Sequence, residues 1–251
     1  MNQFMIAVGN FFFRWRDTAF SLIFLAAFAI IIFVPSSGIG DMRYDLAASF
    51  IGFLFALSGQ IVRAVTIGLA YIKRGGLNKK IYAETLVRRG MFAHCRNPLY
   101  LGNILIVTGA IFAVHITWYY AIVLPLFYFI YICITLAEEN FLRGKFGPEY
   151  DEYIKGVNRF IPGNLKDWNK STEGMSFTWK RLINKEHSST FVIFTSIALV
   201  TVLKLHYRHG VEFSSSYFYG FWAVMGTLAV FQIVSEILKR TGRLRWETDR
   251  P

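Results

Sequence analysis

Residues 97–139 read NPLYLGNILIVTGAIFAVHITWYYAIVLPLFYFIYICITLAEE. Asn97-Pro98 is a helix-start signal, because Asn can cap free backbone N–H groups and Pro suits the first helical turn. The apolar run Leu99 to Val114 follows, then His115-Ile116-Thr117, too short for anything but a tight turn. Trp118-Tyr119-Tyr120 next places interfacial aromatics at the head of a second apolar run, Ala121 to Ala137. Two such runs joined by so short a turn must form an antiparallel hairpin of membrane spans.

Four more apolar runs lie outside this hairpin: Thr18 to Val34, about Tyr44 to Tyr71, about Thr190 to Leu205 and Tyr217 to Leu238. Six spans of about 20 residues would use roughly 120 residues, close to half of the 251 present. That explains a composition that is 54% hydrophobic and only 17% charged, with a mean hydropathy of +0.39, where soluble domains carry about 25% charged residues. The expected fold is all-α, a polytopic membrane helical bundle of about six transmembrane helices with a cytosolic helical connection after the fourth. Its expected parts are an interfacial N-terminal segment (1–17), spans one and two (18–72), a core with the hairpin and a polar motif (73–162), a cytosolic connection (163–189), spans five and six (190–238) and a basic tail (239–251). A signal peptide is not favoured at the N-terminus, where no small-residue cleavage signature follows the apolar stretch.

The net charge of +11 follows from topology. Lys73 to Arg96 carries Lys73, Arg74, Lys79, Lys80, Arg88, Arg89 and Arg96 against Glu84 alone, while Pro35 to Tyr44 has only Arg43 against Asp41. Short Lys- and Arg-rich loops stay in the cytoplasm. With Arg14, Arg16 and the tail residues Lys239, Arg240, Arg243 and Arg245 on that side, both termini and both basic connections are expected inside. No nucleic-acid partner is expected, since such footprints form one face of a soluble domain. The two cysteines, Cys95 and Cys133, have neither disulfide-scaffold nor metal-ligand spacing, and no metal site is expected at His206 and His209.

Polar residues inside or at the edge of the spans are the candidates for chemistry. Asn97, Tyr100 and Asn103 recur every three residues and share a helical face; Asn103 lies inside an apolar run, where an amide needs a partner or a wet cavity. Glu138 and Glu139 end span four and oppose its dipole, so Arg143, Arg96 or a cationic ligand should compensate them. Gln60 and Arg63 form a third polar stripe in span two, read either as snorkelling or as a buried pocket. The hairpin's open end brings Arg96 to Asn103 beside Glu138 and Glu139.

Arg96-Asn97-Pro98-Leu99-Tyr100-Leu101-Gly102 resembles the Arg-His-Pro-x-Tyr-x-Gly motif of the isoprenylcysteine carboxyl methyltransferases and their phospholipid methyltransferase relatives. Glu138-Glu139-Asn140-Phe141-Leu142, Phe146-Gly147-Pro148-Glu149-Tyr150, Tyr153 and Ile161-Pro162 follow the same family's second motif in order and spacing. The resemblance implies an integral-membrane methyltransferase using S-adenosylmethionine and lacking a Rossmann domain; no Gly-x-Gly-x-x-Gly fingerprint occurs here. It implies a cofactor site built from the motif residues Arg96, Asn97, Pro98, Tyr100 and Gly102 with Glu138 and Glu139, to which the neighbouring polar residues His94 and Asn103 are added as candidates. Asn97 stands where the family has His, and His94 is a candidate to replace it.

Methyl transfer chiefly requires alignment and exclusion of water. An amine or thiol acceptor needs a base, for which Glu139 or His94 are candidates; a carboxylate needs a cationic guide such as Arg63, Arg143 or Arg159. The surplus of guides favours a carboxylate on a lipid-like or amphipathic acceptor, and Arg63, Glu139 and Arg143 are the catalytic candidates. A Cys95–His94 nucleophile is not favoured, since no covalent step is needed. Two alternatives stand beside this: an NADPH-dependent reductase of the sterol type, against which Glu138-Glu139 would repel nucleotide phosphates, and a non-enzymatic transporter or scaffold.

Overall fold

The computed structural model describes residues 3–34, 40–70 and 81–245. Pro35 to Gly38, Lys73, Arg74, Lys79 and Lys80 lie outside the described residues, as does Tyr71 at the expected end of span two. Helix α1 is Gln3–Phe33, α2 Met42–Leu69, α3 Pro98–Val114, α4 Leu124–Phe146, α5 Pro148–Gly156, α6 Trp168–Ser171, α7 Trp179–His209 and α8 Ser216–Arg240. Among the described residues α1, α2, Tyr119–Phe146, α7 and α8 are long and apolar enough to cross a membrane, and α3 is the short apolar one. At 17 residues it spans about 26 Å, given about 1.5 Å per residue. All six expected spans are therefore helical, and the chain is a polytopic membrane helical bundle.

Glycine sets the closest packing. A Cβ on Gly52 would stand 2.4 Å from the Gly109 carbonyl, and one on Gly59 would stand 2.5 Å from that of Gly102. Both helices repeat glycine every seven residues, so α2 and α3 run antiparallel with their backbones in contact, an arrangement small residues permit in a membrane. Gly9 of α1 seats in the same way against Cys133 and Ala137 of α4, and Phe20 packs on Phe127 and Tyr131 of α4.

These pairings change the expected hairpin. α3 packs chiefly along α2 and α4 along α1, so the two helices joined by the short turn splay apart. His115 makes that turn in the left-handed region (φ 54°). Of the three expected interfacial aromatics only Trp118 is exposed; Tyr119 is buried and donates its hydroxyl to the Ile23 carbonyl of α1 at 2.7 Å. Pro125 lacks an N–H for Ala121, and the chain enters α4 through a wide π-helical turn, Tyr119–Val123.

Two other expectations shift. The N-terminal segment and span one form a single helix from Gln3. α7 begins at Trp179 rather than near Thr190. Its polar first turns hide it from a hydropathy reading, but their charges are used: Arg181 donates to the Ile67 and Gly68 carbonyls that end α2, at 2.7 and 2.6 Å. Glu186 pairs with Arg63 at one end of the bundle and Lys204 with Asp45 at the other, so α7 runs antiparallel to α2. The starts of α1, α3 and α7 and the ends of α2, α4 and α8 thus share one end, where Gln3 and Arg245 also lie.

Candidate active site

The loop before α3 is held by the loop after α5. Arg96 N–H donates to the Asn158 carbonyl (2.9 Å), Asn97 N–H to that of Arg159 (3.2 Å) and Gly163 N–H to that of His94 (2.9 Å). This short parallel pairing is the only β-type contact among the described residues. His94 lies inside it, with Nδ1 2.9 Å from the Gly163 carbonyl, Nε2 2.8 Å from Ser171 Oγ and its ring stacked on Trp168 of α6. It is not among the residues lining the cavity described below; its ring joins the loop before α3 to Gly163 and Ser171. The buried Cys95 thiol lies 3.1 Å from the Phe160 carbonyl, and burial pushes it up to about 11, which leaves no thiolate nucleophile at neutral pH.

Glu139 is the hub of this end. It accepts from Arg159 Nε and Nη2 (3.0 and 2.9 Å) and Asn97 Nδ2 (3.2 Å), and lies 3.4 Å from Arg96 Nη1. The fork raises the Arg159 guanidinium above its ordinary value, through hydrogen bonding to Glu139 first. Asn97 precedes α3 but its side chain makes no capping bond; the expected cap is spent on Glu139, while Pro98 does occupy the first turn. Arg143 does not compensate Glu139. It bonds Asp151 at 2.7 Å on the outer surface, because α4 ends at Gly147 and α5 folds back beside it.

The splay of α3 and α4 encloses a cavity of about 830 Å³, within the usual range for small-molecule sites. Its polar end is lined by Arg16, Arg96, Asn97, Tyr100, Asn103 and Glu138. Adjacent residues on a helix point about 100° apart, which separates the two acids: Glu138 faces the cavity and Glu139 stands behind the wall. The Tyr100 hydroxyl meets both Glu138 and Arg16. Arg63 also reaches the wall, yet Nε and Nη2 donate to the two oxygens of Glu186 at 2.8 Å each and Nη1 donates to Asn103. Gln60 Nε2 joins at 3.2 Å from Glu186 and 2.8 Å from Thr190 Oγ1. The stripe is a buried ion pair and not a snorkelling arginine, and its charge is neutralised in place. Gly102 serves helix packing: a Cβ there would meet Arg63 Cγ at 2.5 Å.

The sequence reading assigned neither Arg16 nor Glu186 to the site. Glu186 had a signal, since Gln60 and Arg63 in an apolar helix require an acid. Arg16 had none beyond its sign, which topology accounted for.

The chain is thus of the class of polytopic helical membrane proteins, with a cavity at one end of the bundle lined by acidic and arginine side chains. Residues 44–149 match the phospholipid methyltransferase family, a family of membrane methyltransferases. The match runs from α2 into α5 and contains Arg96, Tyr100, Glu138 and Glu139; α1, α7 and α8 lie outside it. No curated protein and no solved structure matches the chain.

Proposed function

We propose that the chain transfers a methyl group from S-adenosylmethionine to a lipid-like acceptor, a carboxylate being favoured, at the cytoplasmic face. The observation that carries this reading is the placement of Arg96 and Glu138 in the lining of one cavity. Arg96 is positioned by Glu139, and its buried Nε has no hydrogen-bond partner among the described residues, so a donor is left for a carboxylate. Glu138 offers an acceptor for an ammonium or ribose hydroxyls, and Tyr100 and Tyr153 present aromatic surface that suits a sulfonium. The cofactor would supply the electrophilic methyl. This chain's residues have the remaining tasks of alignment and desolvation, which suits a site without a free imidazole or thiolate.

Glu139 is a positioning residue in this reading: it seats Arg96 and Asn97 through buried, charge-assisted bonds. Arg143, outside the cavity, is withdrawn as a catalytic candidate, and Arg63 acts on the wall with Glu186 rather than as a free cation. The acid at Glu138 repels the phosphates of NADPH, which counts against the reductase reading. The basic residues at the cavity end, Arg96, Lys239, Arg240, Arg243 and Arg245, support a cytoplasmic orientation.

Isothermal titration of the detergent-purified chain with S-adenosylhomocysteine tests the reading, with NADPH in parallel. Micromolar affinity for S-adenosylhomocysteine is expected, weakened about tenfold or more in Glu138→Gln and in Glu139→Gln, consistent with the loss of a bond to a charged group. Binding of NADPH instead, or of neither nucleotide, overturns it.

A further inference from the structure

We propose that the end of the bundle away from the cavity holds a binding site for a phosphate oxyanion, received by the Nε and Nη2 edge of Arg208 on α7. The inference does not rest on the methyltransferase reading.

Buried positive charge at that end exceeds its buried counter-charge. Lys204 Nζ and Arg208 Nη1 both lie 3.2 Å from Asp45 Oδ1, with His115 Nδ1 2.8 Å from the same oxygen and His209 Nε2 2.8 Å from the other. Lys204 also donates to the Asp45 carbonyl and to Ser49 Oγ at 3.0 Å each, so its three N–H bonds are spent. Arg208 spends a single nitrogen, Nη1, on Asp45 and on the His115 carbonyl at 3.3 Å. Its side chain is only 3% exposed, yet Nε and Nη2 have no hydrogen-bond partner among the described residues. The other acids of this end are engaged elsewhere: Asp41 accepts from Arg43, and Glu212 from Ser214 Oγ at 3.1 Å. The Tyr120 hydroxyl donates to the Phe112 carbonyl and His206 Nδ1 lies 3.0 Å from that of Val211.

The unspent edge is the one this protein uses elsewhere to hold two oxygens at once. Arg63 places Nε and Nη2 on Glu186, Arg159 places them on Glu139, and Arg181 places them on the Ile67 and Gly68 carbonyls. Only an oxyanion supplies a matching pair of acceptors together with a charge, and a guanidinium fork takes it by two parallel bonds. One further negative charge balances Lys204 and Arg208 against Asp45 while both histidines stay neutral. It also relieves two desolvated donors, which are costly to leave unpaired. The depth of the site names the anion. α2 begins at Met42 and α7 ends at His209, while Trp118, three residues from His115, and Tyr207, beside Arg208, are exposed. Such aromatics mark the headgroup level of a bilayer, where phosphate is the abundant oxyanion, whether on a lipid or in the adjoining solution.

An anion that binds the folded chain and not the unfolded one raises the unfolding midpoint, so the test follows thermal unfolding of the full chain in maltoside detergent. In one arm inorganic phosphate replaces chloride at fixed ionic strength; in the other, phosphatidate or diacylglycerol is added to the micelles. The wild-type midpoint is expected to rise with a phosphate source and not with chloride or diacylglycerol. A rise with phosphatidate alone assigns a lipid headgroup, and a rise with inorganic phosphate assigns a free anion. Arg208→Lys keeps a cation beside Asp45 but has no fork, and about tenfold or more of the same phosphate source is expected to be needed for an equal rise. Arg43→Gln, which removes an exposed cation at the same end, is expected to respond as wild type does. Should Arg208→Lys not fold, Arg208→Gln, which leaves Asp45 with Lys204, takes its place with the same expectation. A wild type that responds to neither source overturns the proposal. So does an equal rise in wild type and the Arg208 variant, which is a general salt effect, or an equal loss in the Arg208 variant and Arg43→Gln, which is diffuse surface charge.

Discussion

Each end of the bundle buries a carboxylate among basic side chains, and the two clusters differ in what they enclose. At the end away from the cavity, Asp45 of α2 receives Lys204 and Arg208 of α7 at 3.2 Å each and lies 2.8 Å from His115 Nδ1 and from His209 Nε2. Lys204 also donates to the Asp45 carbonyl and to Ser49 Oγ, both at 3.0 Å. These groups fasten α2, α3 and α7, and Arg208 Nε and Nη2 stay buried there without a hydrogen-bond partner among the described residues. At the other end Glu139 gathers Arg159, Arg96 and Asn97, but its neighbour Glu138 opens onto a cavity. A buried acid among arginines is therefore a fastener or part of a site depending on what lies one residue away. Ion pairing alone does not distinguish the two.

Breaking the fastener should have the largest effect on stability. Asp45→Ala leaves Lys204 and Arg208 buried without their counter-charge, and a loss of about 3–5 kcal/mol is expected. It is read as a lowered midpoint in thermal unfolding in detergent, with S-adenosylhomocysteine affinity retained by the folded fraction. Reduced affinity at unchanged stability would reverse the roles of the two ends.

Arg63–Glu186 lies between these cases, a fastener that forms part of the cavity wall. Glu186→Gln alone should destabilise by a similar order, whereas Arg63→Met with Glu186→Leu should recover most of the loss, since a buried pair is replaceable by apolar side chains of like size. Failure of the double variant to recover, together with lost ligand binding, would move Arg63 into the binding machinery. Gly102→Ala should cost about 1–3 kcal/mol through overpacking, because its Cβ meets Arg63 Cγ and the Gly59 carbonyl at 2.5 and 2.9 Å. Measured beside Gly144→Ala, where no atom lies within 4 Å, it separates helix contact from the general effect of adding a methyl. Arg143→Ala should be the quietest, under about 0.5 kcal/mol and without change in nucleotide affinity, as a half-exposed pair with Asp151 contributes little. Loss of turnover in that variant would restore Arg143 as a candidate.

The spans were legible because hydropathy sees long apolar runs, and the open end of the hairpin did place Asn97 beside Glu139 and Tyr100 beside Glu138. Partner choice was not legible. The three-residue turn implied that α3 packs on α4, but glycines at 52, 59, 102 and 109 draw α3 to α2 instead. A window average could not start α7 at Trp179, because Arg181 and Glu186 look like loop residues until the carbonyls and the guanidinium they serve are placed. Adjacent acids read as one motif, and only helical phase assigns Glu138 to the cavity and Glu139 to the scaffold. By residue type His94 and Asn97 suggest chemistry or capping, while loop-to-loop pairing decides their partners.

The cavity draws its walls from α1, α3, α4 and α7, together with Arg63 of α2 and residues 81–87, so its lining runs from Phe13 to Ser196. Synthesis from the N-terminus therefore produces the whole matched stretch, residues 44–149, well before the compartment exists. A nascent chain that has released α4 holds the motif as an open groove lacking the α7 wall. Until α7 enters, Arg63 also lacks Glu186, so insertion of that helix supplies the counter-charge and closes the chamber in one step. Order of membrane insertion thus bears on when the cavity is complete: its lining is finished only once α7 has been made as far as residue 196.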